Sequence, residues 1–307
     1  MDIFLSLFTS ILPLYVIIAL GWIAGRFYDV DKNSLANLAI YMLVPAVTFY
    51  YMAGIKFDVE YFSLPFIAYF CYSAMTLIAY KLGLSLYDDK RANLLAMCSG
   101  TKNNGYMGLP VIILFFPPEW VGVYVFTLVG SLMYEATVMY YVANRGNFSP
   151  MESLKRVFKF PVIYAAFFGL VFNLSGLEIP QQTEAFWGYF RGAYVVIGMM
   201  IIGVSLSRVS KLVMSAKFLS AVFAAQFIIW PLLTFGLVWI DQTYLYLFAE
   251  EVHKFFIIMA LLPPAANVAA FAAALNLNAE KAATTILLGT VFALFYIPTI
   301  LVLSGLY

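Results

Sequence analysis

Residues 99–110 read Ser-Gly-Thr-Lys-Asn-Asn-Gly-Tyr-Met-Gly-Leu-Pro and lie in the middle of a long apolar stretch of the chain. A proline removes a backbone donor and clashes with the carbonyl group four residues earlier, so Pro110 disfavours a regular helix here. Gly105 and Gly108 permit backbone geometries that other residues resist. The sequence therefore predicts a helix that is broken near its middle.

The composition of the 307-residue chain indicates that this broken helix lies in a membrane. Residues of the set AVILMFWYC make up 64% and charged residues 11%, whereas soluble domains average roughly 45–50% apolar and about 25% charged residues. This composition excludes a soluble enzyme, a disordered chain and a nucleic-acid-binding protein. The net charge of +1 offers no electrostatic field for a polyanion, so we expect no nucleic-acid partner.

Ten apolar segments follow one another along the chain, and a transmembrane helix needs about 20 such residues. In hydrocarbon only helices and closed barrels satisfy their own backbone groups, and continuous apolar runs exclude the barrel. The predicted segments are 4–25, 34–54, 62–82, 92–116, 120–143, 160–176, 186–206, 217–240, 252–275 and 282–304. The sequence thus predicts an all-α membrane protein with ten transmembrane helices. We expect the first helix to be retained rather than cleaved, because it lacks the features of a signal peptide.

The distribution of Lys and Arg predicts the orientation of the chain in the bilayer. The odd-numbered connections between segments hold 13 of these residues and the even-numbered connections hold 3. Basic residues are concentrated in cytoplasmic loops. We therefore expect the odd-numbered connections in the cytoplasm and both termini outside.

The longest connection, 144–159, divides the chain into two halves, 1–143 and 160–307, with five segments each. Because five is odd, the two halves would have opposite orientations, as in an inverted repeat. The fourth segment of the second half contains Leu-Pro-Pro-Ala-Ala-Asn at 262–267, which matches the interrupted fourth segment of the first half. Paired interruptions at corresponding positions indicate a substrate site near the membrane midplane. The alternative is a pair of proline kinks that serve packing.

Residues at the two breaks are the candidate substrate-binding residues. Asparagine amides donate and accept hydrogen bonds without carrying a charge. The N-terminal ends of half-helices favour anions, because they present free N–H groups and the positive end of the helix dipole. We therefore expect a small organic anion, a carboxylate, as the ligand. The predicted substrate-binding residues are Lys102, Asn103, Asn104, Pro110, Pro263 and Asn267.

Two charged residues, Lys102 and Glu135, lie within the predicted segments. A charge at the bilayer centre costs at least about 2.5–3.5 kcal/mol on insertion scales, so each must face the interior, find a partner or lose its charge. Lys102 is interpreted as a positive charge near the substrate, with snorkelling to the cytoplasmic interface as the alternative. Glu135 is interpreted as the carrier of a coupling proton or as the partner of Lys102 in a structural ion pair.

Other polar residues receive structural interpretations. Gln226 and Asn173 are expected to hold helices together. His253 is the only histidine of the chain, at the start of the ninth segment, and we expect it to be partly solvated at the interface. A single histidine excludes a two-histidine zinc site. We expect no metal site, no cofactor and no enzymatic activity.

The stretches Asn-Asn-Gly-Tyr-Met-Gly-Leu-Pro at 103–110 and Pro-Pro-Ala-Ala-Asn at 263–267 resemble the auxin efflux carrier family, as do the ten apolar segments and the short central loop. That family includes plant auxin exporters and bacterial malonate/malate permeases. The resemblance implies a fold similar to bile-acid symporters and sodium/proton antiporters, in which helices 4 and 9 cross as an X. It also implies an elevator-like motion, with helices 1, 2, 6 and 7 as the scaffold and helices 3–5 and 8–10 as the core.

The short central loop differs from that of long plant exporters, so the resemblance indicates a bacterial-type member in the inner membrane. Relatives in this family often form homodimers. The sequence has no Gly-x-x-x-x-Gly-Lys-[Ser/Thr] phosphate-binding loop, so we expect a secondary transporter driven by gradients or by the membrane potential. Proton and sodium coupling both remain open. An anion channel or a membrane receptor for a carboxylate is the alternative function.

Overall fold

The computed structural model describes residues 2–55, 58–144, 158–209 and 212–305, and these ranges contain helices and no β-strand. Most of the predicted central connection, 144–159, lies outside the described residues. We number the helices of these ranges α1 to α12. They are α1 (Asp2–Phe27), α2 (Lys32–Ala53), α3 (Val59–Leu86), α4 (Arg91–Gly100), α5 (104–115), α6 (Pro118–Ala143), α7 (Pro161–Leu174), α8 (Gln181–Ser207), α9 (Ala216–Leu245), α10 (Glu250–Leu261), α11 (Val268–Ala274) and α12 (Ala279–Leu303).

Seven of the described helices are long and apolar enough to cross a membrane, namely α1, α2, α3, α6, α8, α9 and α12. Helix α7 is apolar but shorter, with 14 residues. The two remaining apolar segments each consist of two short helices separated by a break, α4–α5 and α10–α11. Helical structure therefore occurs at all ten predicted apolar segments, and the chain is a multi-pass membrane protein.

Local sequence signals explain where several helices begin. The Asp31 carboxylate accepts hydrogen bonds from the backbone N–H and the hydroxyl group of Ser34, both at 2.8 Å, and thereby caps α2. These bonds lower the pKa of the Asp31 carboxyl group below its ordinary value. Asn278 caps α12 in the same way by accepting from the Lys281 N–H. Pro161 begins α7, where the missing N–H of a proline does no harm.

Several helices contain π-helical turns, which widen the helix locally and redirect its side chains. They lie in α2, α5, α6 and twice in α9, at 39–43, 104–108, 135–139, 225–229 and 241–245. Such turns are rare and frequently occur at functional sites. The turns of α5 and α6 and the first turn of α9 carry Asn104, Glu135 and Gln226, and each of these residues contacts one of the two breaks.

The helices pack in pairs around the interrupted segments. Helix α1 packs along α8, α2 along α7, and α3 against α4 and α6. Helices α1 and α8 approach closely at Gly203, where an added Cβ would collide with the carbonyl oxygen of Ile18. Residues 92–100 of α4 are all buried, as are most residues of α10. Both breaks therefore lie in the interior of the protein rather than at its surface.

Candidate functional site at the two helix breaks

The first break lies between α4 and α5, at residues 101–103. Thr101 leaves the helical conformation with φ −99° and ψ 144°, and its hydroxyl group donates to the Met97 carbonyl at 2.7 Å. Helical structure resumes at Asn104 with a π turn, and Pro110 follows inside α5. The predicted interruption is therefore present, and it lies on the N-terminal side of the proline.

The second break lies between α10 and α11, at residues 262–267. Leu262 is extended, with φ −64° and ψ 151°, because a residue before a proline disfavours the helical region. Pro263 and Pro264 have no N–H groups with which to continue the helix. Helix α11 begins only after Asn267. The proline pair thus accounts for the position of this break.

The two breaks meet through their backbones. The N–H of Asn103 donates to the carbonyl oxygen of Pro263 at 2.9 Å. Beside this bond, a Cβ on Gly108 would lie 2.7 Å from Leu262 Cδ1 and would collide with the Tyr124 hydroxyl group. Gly108 itself has an ordinary helical φ of −64°. The expectation that Gly108 provides an unusual backbone geometry is therefore wrong, because the residue instead permits this close approach.

Lys102 is buried at the first break, with 1% of its surface exposed. Its Nζ donates to the carbonyl oxygens of Gln226 at 2.8 Å, Ala260 at 2.7 Å and Leu262 at 3.0 Å. Three acceptors match the three N–H donors of an ammonium group. The Nζ also lies 5.7 Å from the ring centroid of Trp230, a favourable cation–π distance. Lys102 therefore does not snorkel to the protein surface.

The C-terminal end of α4 is capped by two side chains of α9. Gln226 Nε2 donates to the carbonyl oxygens of Cys98 and Thr101, and Trp230 Nε1 donates to that of Ser99 at 2.9 Å. The last carbonyl groups of a helix have no partner within the helix, so these bonds satisfy groups that burial would otherwise leave unpaired. The expectation that Gln226 joins helices is confirmed. Trp230 was not identified, because its sequence context does not reveal its hydrogen-bond partner.

The three candidate asparagines lie at the N-terminal ends of half-helices. Asn103 and Asn104 lie at the start of α5, and Asn267 directly precedes α11. Asn104 Nδ2 donates to the Tyr72 hydroxyl group at 2.7 Å. Among the described residues, no partner is found for Asn103 Nδ2, Asn104 Oδ1 or Asn267 Oδ1, although these atoms are buried. Buried polar groups normally have partners, so the Asn103 Nδ2 donor is available to an anion and the two Oδ1 acceptors are available to a donor group of a ligand.

Glu135 begins the π turn of α6 and reaches the second break. Its Oε2 accepts a hydrogen bond from Asn267 Nδ2 at 2.7 Å. The Lys102 ammonium group instead contacts carbonyl oxygens of α9 and of the C-terminal end of α10. In the described part of the chain, the two intramembrane charges therefore have separate partners rather than a shared ion pair.

The orientation of the four half-helices gives the junction of the breaks two electrostatically different parts. Helices α4 and α10 end here, and their carbonyl groups form the negative ends of two helix dipoles. Lys102 donates to the Ala260 carbonyl at the end of α10, and Gln226 and Trp230 donate to the Cys98 and Ser99 carbonyls at the end of α4. Helices α5 and α11 begin here, and their positive ends face the asparagines. An anion is therefore favoured at the starts of α5 and α11.

His253 is buried, so the expectation that it is partly solvated is wrong. It is 5% exposed, and its Nε2 lies 2.8 Å from Oδ2 of the equally buried Asp241. The Asp241 carboxylate also accepts from the backbone N–H groups of Leu247 and Phe248, both at 3.1 Å. These contacts fix the turn between α9 and α10. The residues next to His253 in the sequence did not reveal that Asp241, 12 positions earlier, would contact its ring.

Comparisons with known proteins agree over most of the chain. A family model described as "Membrane transport protein" matches residues 6–301. An uncharacterized transporter of Methanothermobacter thermautotrophicus is 23% identical over 305 residues, which cover 96% of this chain and 98% of the relative. An uncharacterized transporter of Methanocaldococcus jannaschii is 24% identical over 209 residues, which cover 64% of this chain and 68% of the relative.

Proposed function

Because this chain belongs to the membrane transport protein family, we propose that it is a secondary active transporter that moves a small organic anion across the cell membrane. The family match confirms the resemblance to auxin efflux carriers. The observation that carries the proposal is the junction of the two breaks. There the Asn103 N–H donates to the Pro263 carbonyl, and buried amide atoms lie without partners among the described residues.

The proposed substrate is a carboxylate of the malonate, malate or auxin type, bound where α5 and α11 begin. Asn103 Nδ2 is a buried donor without a partner among the described residues, and carboxylate oxygens accept such donors. Asn104 and Asn267 lie at the same half-helix starts, and each Nδ2 carries a second N–H beyond the one that donates to Tyr72 or Glu135. Uncharged amides bind an anion without the high desolvation cost of a buried positive charge.

Three further predicted site residues act indirectly in this proposal. Lys102 attracts the anion through its charge, because its N–H donors already contact three carbonyl oxygens. Pro263 shapes the second break, and its carbonyl group holds the first. Pro110 lies near the start of the α-helical part of α5 and has no N–H of its own to donate.

Glu135 is the proposed carrier of a coupling proton. Its carboxyl group contacts Asn267, so it lies one hydrogen bond away from a candidate substrate ligand. A charged Glu135 repels a neighbouring anion, and a protonated Glu135 does not. Binding of the substrate therefore favours uptake of a proton at Glu135, which couples the two movements.

The proposed transport motion is elevator-like. The scaffold comprises α1, α2, α7 and α8, and the close α1–α8 and α2–α7 pairs support this grouping. The core comprises α3–α6 and α9–α12, and the bonds of Lys102 and Gln226 hold α4, α9 and α10 together within it. The Tyr194 hydroxyl group of α8 donates to the Gly105 carbonyl of α5 at 2.7 Å. This bond must break when the core moves.

The two halves, 1–143 and 160–307, are proposed to be inverted repeats of five transmembrane helices, with both termini outside. The interrupted segment is the fourth apolar segment in each half, which supports this arrangement. Several basic residues that determine the predicted orientation lie outside the described residues, namely Lys56, Arg145, Lys155, Arg156 and Lys211. Assembly as a homodimer is an expectation from the family resemblance.

Counterflow in proteoliposomes tests the proposed function. Vesicles loaded with unlabelled malonate, L-malate or indole-3-acetate should transiently accumulate the labelled form of whichever compound is transported. Asn267→Ala should abolish this accumulation, whereas Asn37→Ala, on an exposed asparagine of α2, should not. A channel would give no stimulation by internal substrate, and a receptor would bind the compound without moving it. Either result would contradict the proposal.

A further inference from the structure

Three backbone carbonyl oxygens converge on the Lys102 ammonium group. They belong to Gln226 in α9, to Ala260 in the last turn of α10 and to Leu262 in the second break. The end of α10 adds the negative pole of a helix dipole. Carbonyl groups at unwound stretches and half-helix C-terminal ends are the groups with which membrane transporters coordinate Na⁺. The surroundings of Lys102 are therefore those of a monovalent cation.

The ammonium group fills these surroundings as an ion would. All three of its N–H donors have carbonyl acceptors, and the residue is 1% exposed. The rings of Phe227 and Trp230 lie 5.8 and 5.7 Å from Nζ. In the described part of the chain, no carboxylate forms an ion pair with it. The positive charge is therefore balanced by carbonyl dipoles and aromatic rings.

We propose that Lys102 is a built-in cation occupying a latent monovalent-cation site, and that the protein consequently needs no metal ion at the helix breaks. A shortened side chain would leave the three carbonyl oxygens without donors. Gln226 Oε1 is a further buried oxygen that has no partner among the described residues. A small cation such as Na⁺ or Li⁺ would then restore the lost charge. Lys102 fills this site whatever the substrate is.

Thermal unfolding of the purified full-length protein in detergent tests this inference without any substrate. The variants are Lys102→Ser and Lys102→Asn, which remove the ammonium group and open space beside the carbonyl oxygens. The matched control is Lys281→Ser, because Lys281 is also buried but lies over the Phe218 ring, at 5.4 Å from its centroid. Each protein is titrated with NaCl, LiCl or KCl against choline chloride at constant ionic strength. Choline is too large to replace an ammonium group in this site.

For the wild type, Tm in sodium should equal Tm in choline. The same should hold for Lys281→Ser, whatever its own Tm is. At least one Lys102 variant should melt lower than the wild type in choline and gain about 5 °C or more in a saturable manner with Na⁺ or Li⁺. A saturable sodium effect on the wild type would overturn the inference. Lys102 variants whose Tm does not change with Na⁺, Li⁺ or K⁺ would also overturn it. So would Lys102 variants that cannot be recovered folded in sodium-containing buffer, because an ion must be able to replace the ammonium group.

Discussion

The side-chain amide of Asn267 donates a 2.7 Å hydrogen bond to the carboxyl group of Glu135. This bond joins the break between α10 and α11 to the π turn of α6. Asn267 Nδ2 carries a second N–H, which is the donor proposed to bind the substrate carboxylate. The bond therefore connects a candidate substrate ligand directly to the ionisable group that we propose as the proton carrier.

Glu135→Gln should separate coupling from substrate binding. The amide keeps the size of the side chain and a hydrogen-bonding oxygen but cannot exchange a proton at neutral pH. We expect uptake driven by a proton gradient to fall by about tenfold or more, because the variant cannot take up the proton whose movement drives the substrate. A tenfold change corresponds to about 1.4 kcal/mol. Counterflow, which needs no net proton movement, should persist. Glu178→Gln in an exposed loop is the control and should retain both activities. Loss of folded Glu135→Gln protein would instead favour a purely structural role.

Gly108→Ala should destabilise the protein by about 1–3 kcal/mol, because overpacking in a tight interior costs this much. The new Cβ would collide with the Tyr124 hydroxyl group and lie 2.7 Å from Leu262 Cδ1. The matched control is Gly105→Ala, where the nearest atom to the new Cβ lies at 3.9 Å. Tyr124→Phe should partly rescue Gly108→Ala, which a double-mutant comparison of Tm would measure. Equal Tm values for the two alanine variants would show that the helices do not approach as described.

Trp230→Phe should lower Tm by removing the donor to the Ser99 carbonyl while keeping an aromatic ring in place. An unsatisfied buried carbonyl costs about 1–3 kcal/mol. Trp239→Phe is the matched control, since this tryptophan of α9 is 58% exposed. A Trp239→Phe effect as large as that of Trp230→Phe would argue against capping of α4 by α9.

Cysteine labelling should establish the orientation of the chain. In a background with Cys71→Ser and Cys98→Ser, a membrane-impermeant maleimide added to intact cells should label Glu178→Cys, in the sixth connection. Asp89→Cys, in the third connection, should react only after the membrane is permeabilised. Both positions are exposed, so accessibility within the protein does not limit the reaction. The reverse pattern would place both termini in the cytoplasm.

The sequence predicted the helical segments and both breaks because these depend on local chemistry. Apolar runs of sufficient length become helices in hydrocarbon, and helix is found at all ten predicted segments. The Pro263–Pro264 pair ends α10 through steric effects that act within a few residues. The buried charges were also identified, since an ionisable residue in an apolar run stands out in any sequence.

The partners of these residues could not be predicted, because they come from distant parts of the chain. Lys102 contacts the carbonyl groups of Gln226 and Ala260, which are separated from it by 124 and 158 positions. Every residue has a backbone carbonyl group, so the sequence could offer only Glu135 as a possible charged partner of Lys102. The π turn that places Glu135 beside Asn267 also has no residue signature. The same limitation explains why the contact between His253 and Asp241 was missed.

Equilibrium binding of the transported carboxylate to purified Asn103→Ala tests the central claim, that the meeting breaks bind the substrate. Asn103 Nδ2 has no partner among the described residues, so Tm without ligand should stay close to that of the wild type. Loss of a donor to a charged ligand costs about 1.5–3 kcal/mol, so the affinity should fall by about 10- to 100-fold. Asn37→Ala should bind as the wild type does. An Asn103→Ala protein with unchanged affinity would contradict the account.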